Sequence, residues 1–85
     1  MHVVSKIYAN GHIEPVNTQW TLAQLQAFVG GYIEIVACSV ARRALICDEE
    51  GLLKDKPVNV EATKLVRPGV LTHQGLRGDC LIVKA

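Results

Sequence analysis

The residues of this chain that could do chemistry are few and scattered. Three cysteines (Cys38, Cys47, Cys80), three histidines (His2, His12, His73) and eight carboxylates are the available nucleophiles, bases and metal donors. A nucleophilic site needs a nucleophile, a base and an orienting group within hydrogen-bond reach. Cys38, His73 and Asp79 are the set that can be assembled on paper, and Glu34 with His73 is the carboxylate version. Together they define the enzyme reading, a small cysteine- or carboxylate-based hydrolase. Each cysteine, however, lies inside an apolar strand-like run: Val36-Ala37-Cys38, Leu45-Ile46-Cys47 or Cys80-Leu81-Ile82. There a thiol acts as a small hydrophobe. Glu49 and Glu50 are adjacent in a turn, where side chains diverge, so paired-carboxylate acid/base chemistry has little support. The sequence holds no Cys-x-x-Cys or His-x-x-x-His pair. A zinc site would have to gather ligands from four distant segments. Neither a metal nor a cofactor is expected, and the protein reads as non-enzymatic.

Binding chemistry has better candidates. Three polar features sit in connections, where small scaffolds concentrate binding residues. They are the Arg42-Arg43 tip, the Lys54–Asn59 approach to a second helix, and the His73–Arg77 loop. An anionic ligand would be held by Arg42, Arg43 or Arg77 through bidentate guanidinium bonds. Asn59 would add a cap-type donor and Tyr32 a stacking face. Glu34 and Asp79 are carboxylates on otherwise apolar strands and need a partner. The ordinary reading is an internal ion pair with one of these arginines. The functional reading is a polar anchor in a pocket or a dimer interface. Gly30-Gly31 follows a helix and precedes a strand, the wrong order for a phosphate-binding helix N-terminus.

These residues must be positioned by seven elements. His2 to Val16 reads as a hairpin, with Asn10-Gly11 supplying a type I′ turn and Pro15 marking a short edge strand. Thr21 caps a helix over 22–29, with Gln24 completing a capping box and Trp20 stapling onto it. Gly30 fits the left-handed position that ends it. Tyr32 to Val40 is apolar on both faces and reads as the inner strand around which the chain is organised. Arg43 to Asp48 returns from it through a loose tip, and Asp48-Glu49-Glu50-Gly51 suits a type I turn. Asn59 caps a short helix from Val60 to about Val66. Val70 to Gly78 is a loop and Asp79 to Lys84 the last strand. The order β-β-α-β-β-α-β makes a single α+β domain over residues 1–85, two helices on one five-stranded sheet. The helix between the second and third strands allows a parallel pairing, which would make the sheet mixed. Ile33, Ile35, Leu45, Leu81, Val83, Leu25 and Phe28 are the expected core.

Composition sets the outer limits. A chain of 85 residues is near the lower size for a self-sufficient core, and 49% of it is hydrophobic. A domain this small and apolar is expected to leave a patch uncovered and to form a dimer or larger homo-oligomer. A net charge of +1 gives no global field for nucleic acid or an anionic membrane. No run approaches a membrane span, and Met1 to Lys6 lacks the layout of a secretion signal, which predicts a cytoplasmic protein.

The later two-thirds of the chain resembles a family of small uncharacterised proteins encoded by phages, plasmids and other mobile elements. The resemblance rests on Leu25 to Glu34 with its Gly-Gly-Tyr-Ile-Glu, on Cys47-Asp48-Glu49-Glu50-Gly51, on Pro57 to Thr63, and on Leu76 to Val83 with its Gly78-Asp79 strand start. Cys47-Asp48 stands where an asparagine is usual before Glu-Glu-Gly. The resemblance implies a bacterial host cytoplasm. The expected function is a self-associating phage-type binding protein that counters host defence by sequestering a nucleotide-like signal. The alternative is an accessory protein that masks a host protein.

Overall fold

The computed structural model describes residues 1–70 and 74–85. Its elements are β1 (His2–Ile7), β2 (Ile13–Gln19), α1 (Leu22–Val29), β3 (Ile33–Ala37), β4 (Arg43–Asp48), α2 (Val60–Thr63) and β5 (Cys80–Lys84). They form the expected α+β domain, with one five-stranded sheet in the order β2-β1-β5-β4-β3. All four pairings are antiparallel, so the parallel pairing permitted by α1 is not used.

This order corrects the expected place of β3. The last strand, β5, lies at the centre, and β3 lies at an edge. Antiparallel returns let β5 slot between β1 and β4, where Leu81 and Cys80 are fully buried. Ile35, expected in the core, is 57% exposed.

Each face of the sheet carries its own apolar cluster. Val3, Leu25, Val29, Ala44, Ile46, Leu81 and Val83 pack under α1, with Trp20, Phe28 and Ile33 at the margin. Ile7, Val36, Cys38, Leu45, Cys47, Leu76 and Cys80 pack with Ala62 of α2 on the other face. Val3 and Ile7 have the same parity and would share a face in a regular strand. A bulge between Val3 and Ser5 shifts the register, so each enters a different core.

The local signals act as their chemistry dictates. Thr21 Oγ1 accepts from Gln24 N and Gln24 Oε1 accepts from Thr21 N, closing the capping box. Trp20 packs edge-on against Phe28, ring centroids 5.9 Å apart. The first hairpin turns differently from the expected type I′ form. Gly11 N donates to Tyr8 O and Tyr8 N to His12 O, and only Gly11 takes a positive φ, of 95°. That is a type I turn closed by a left-handed glycine. Helix α2 stops at Thr63 because the chain beyond it pairs with the sheet. Ser39 N donates to Leu65 O, Arg67 N donates to Ala37 O, and Cys38 bridges Val66. Among the described residues, no helix is long and apolar enough to cross a membrane.

Candidate functional site

Two ends of the sheet carry opposite character. The cationic end is built by the β3–β4 tip and the chain segments that pair beside it. Arg42 holds φ 62° at the tip, and this left-handed residue turns the chain into β4. Its carbonyl accepts from Ala85 N at 3.1 Å and from Arg43 Nη1 at 3.2 Å, tying the tip to the end of β5. Arg43 is in register with Lys84. Both share the parity of Leu45 and Ile82, so they extend the face that carries α2. One step beyond Ala37↔Ala44, Cys38 lies opposite Arg43, and Val66 bridges Cys38 on the outer side. At roughly 4.8 Å per strand, Arg67 stands about 15 Å across the sheet from Lys84. Arg42, Arg43, Arg67 and Lys84 therefore border one end, and none forms an ion pair among the described residues. Arg67 and Lys84 were not singled out from sequence, because only the pairing register brings them to the tip.

At the opposite end Lys54 and Lys56 are spent internally. Asp48 closes β4 with a side chain only 1% exposed, and Lys56 Nζ at 2.7 Å and Lys54 Nζ at 2.9 Å pair with it. The same lysines reach the last carbonyls of α1, Lys56 at Val29 and Lys54 at Gly30. Cations belong at that end of a helix, where unpaired carbonyls concentrate negative potential. Burial pushes the Asp48 carboxyl up, but hydrogen bonds from Lys56, Lys54 and Glu50 N outweigh it and hold the group at about 2. Gly30 and Gly31 leave the space these lysines occupy. A β-carbon on Gly30 would stand 2.8 Å from Lys56 Nζ, and one on Gly31 would stand 2.5 Å from Lys54 Nζ. Beside them is a shallow pocket of about 240 Å³, lined by Phe28, Val29, Lys56, Pro57, Gly78 and Asp79 among others.

The expected site residues are thus divided rather than assembled. Arg42 and Arg43 lie at the cationic end. Tyr32 is 68% exposed at the other end, where its carbonyl accepts from Glu49 N. Glu34 is exposed on the edge strand and needs no internal partner, correcting the ion pair expected of an inner strand. The buried carboxylate is Asp48 instead. Its signal was an aspartate closing an apolar strand with two lysines shortly after. Asp79 is half-buried and accepts from Ala9 N at 2.9 Å, and it pairs with no arginine among the described residues. Arg77 donates to Lys56 O and Gln74 Oε1. Asn59 is fully buried, and its amide is consumed. Nδ2 donates to Ile7 O and Gly78 O, and Oδ1 accepts from Ala62 N. It ties α2 to β1 and the entry of β5, with no donor left for a ligand. His73 lies outside the described residues.

The thiols are placed as packing groups. All three are buried and free. Burial, aided by Glu34 and Asp48, pushes Cys47 up to about 12. Burial, aided by Cys47 and Asp79, does the same to Cys80. Both stay protonated at neutral pH, and only the thiolate is a strong nucleophile. Among the described residues no cluster of His, Cys, Asp and Glu is arranged to hold a metal.

Fold and charge arrangement together define a small two-cored α+β domain with an open cationic end. Residues 4–85 match the family model described as "Domain of unknown function (DUF3846)", and the chain belongs to that family. No curated protein and no solved structure matches the chain.

Proposed function

We propose that this chain is a non-enzymatic binding protein that uses Arg42, Arg43 and Lys84, flanked by Arg67, to engage an anionic partner. The carrying observation is the gathering of these cations at one sheet end while Lys6, Lys54, Lys56 and Lys64 are all paired with carboxylates. The surface they border is the open end of a hairpin, and the pocket described above, among the described residues, lies at the opposite end. An open cationic border suits an acidic face of a host protein, which association would steer electrostatically. The resemblance to mobile-element proteins supports the setting: a phage or plasmid product that masks a host component in the bacterial cytoplasm, as defence-countering proteins do. A second reading, sequestration of a nucleotide-like signal, is favoured by the neighbouring residues Arg42 and Arg43 at the tip, because a guanidinium suits bidentate phosphate binding.

Calorimetric titration with poly-glutamate and with a panel of cyclic and NAD-derived nucleotides separates the two. Poly-glutamate binding that weakens with salt and disappears in Arg42→Glu/Arg43→Glu is the expected result. Nucleotide binding lost in the same variant would favour sequestration. No binding of either by the folded wild type would contradict the proposal.

A further inference from the structure

Strands β4 and β5 set two of the buried thiols face to face. Their register ends with Ile46↔Leu81, so the next step places Cys47 opposite Cys80. At the other end of the ladder Ala85 N donates to Arg42 O, which makes Arg42 and Ala85 a hydrogen-bonded pair. Hydrogen-bonded and non-hydrogen-bonded pairs alternate along antiparallel strands, so Cys47 and Cys80 form a non-hydrogen-bonded pair. The other neighbour of β4 agrees. Tyr32 O accepts from Glu49 N, so Cys47 exchanges its backbone bonds with Glu34 of β3 and not with β5. In such a pair the Cα atoms lie about 4.5 Å apart and the side chains come closest. Both thiols enter the core under α2. Cys47 is near enough to help push Cys80 up. Cys38 is elsewhere. Opposite Arg43, it stands roughly 14 Å from Cys47 and roughly 16 Å from Cys80.

We infer that Cys47 and Cys80 are a modification site, a cross-strand pair that a small-molecule disulfide oxidises to an intramolecular disulfide. A Cα separation of about 4.5 Å falls within the range a disulfide spans. Burial keeps both thiols protonated in the closed fold. Reaction therefore begins when the strand ends beyond Ile46↔Leu81 open. One sulfur, as thiolate, attacks the oxidant, forms a mixed disulfide and releases one thiol. The other thiolate attacks the first protein sulfur and releases the second thiol. Two S–H bonds are lost and one S–S bond forms. The two protons and two electrons leave on the reduced oxidant. The core gives up one weak bond, from Cys80 Sγ to Gly78 O at 3.5 Å, and that carbonyl keeps Asn59 Nδ2 at 2.9 Å. The closed loop holds residues 48–79, with α2 inside it. A domain near the lower size for a self-sufficient core gains most from such a staple. Arg42, Arg43 and Lys84 lie at the other end of the β4–β5 pair, so this site stands or falls apart from the anion site.

The test brings wild type to equilibrium in glutathione redox buffers, folded and in concentrated urea, then traps its thiols and maps them by mass spectrometry. Folded protein should lose the mass of two hydrogens without gaining glutathione. The cross-link should join the peptides of Cys47 and Cys80 and leave Cys38 free. The equilibrium constant for closing this bond should be about tenfold or more larger in the folded protein than in the unfolded chain. The same factor must appear in the folding equilibrium, so the oxidised protein should unfold at higher urea. Cys47→Ala checks the pairing separately, since its remaining thiols, Cys38 and Cys80, are too far apart to join in the fold. Mixed disulfides with glutathione at Cys47 and Cys80 of the folded protein would overturn the inference. So would a closing constant no larger folded than unfolded, or a Cys38–Cys80 bond formed as readily in folded Cys47→Ala.

Discussion

At the scale of residues, the most consequential group is Asp48, whose single carboxylate joins β4, the 49–56 turn and the end of α1. Its carboxyl is held at about 2 in the fold against an ordinary 3.8. A depressed carboxyl contributes fully above its unfolded value, and the contribution disappears as pH falls through the folded one. Stability of about 2 kcal/mol should therefore be complete above pH ~4 and lost by pH ~2. Urea midpoints measured across that window should fall steeply in wild type and much less in Asp48→Asn. The second residue-scale test is Gly30, at φ 87° with Lys56 Nζ in the space of a β-carbon. Gly30→Val should lose about 1–2 kcal/mol from the left-handed backbone alone, plus whatever displacing Lys56 costs. An unchanged unfolding midpoint would contradict that role. Asn59→Ala strands two carbonyls and an N–H inside the protein and should cost about 2–4 kcal/mol by chemical denaturation.

At the scale of elements, local chemistry was legible and long-range order was not. The capping box at Thr21, the left-handed Gly30, the Asn59 cap and the Asp48–Gly51 turn depend on neighbours within a few positions, so residue type was enough to place them. Strand order depends on contacts across the whole chain. The apolar pattern of Tyr32–Val40 fits an inner strand and an edge strand capped by a neighbouring segment equally well, because Leu65–Arg67 covers part of its outer side. The same pairing ended α2 at Thr63, although helical spacing ran on to Val66. For the site, Arg42 and Arg43 were readable because a hairpin without Gly or Asn presents its tip. Arg67 and Lys84 were not, since each reaches that end only through register. Asn59 was read as a cap, which it is. Nothing local indicated that its amide would also hold β1 and the start of β5.

At the scale of the whole molecule, a net charge of +1 conceals a division. Arg42, Arg43, Arg67 and Lys84 border one end of the sheet, and the unpaired carboxylates gather toward the other. Such a molecule carries little net field, yet steers a charged partner to one surface. Binding should accordingly weaken with salt and with charge reversal at the tip, while changes at Tyr32 or Asp79 leave it intact. The most direct measurement is an amide chemical-shift titration of the isotopically labelled protein with an acidic polypeptide. Shifts concentrated at Arg42–Ala44, Arg67 and Val83–Ala85 are predicted. Shifts confined to Gly30, Gly78 and Asp79, around the pocket at the opposite end, would contradict it.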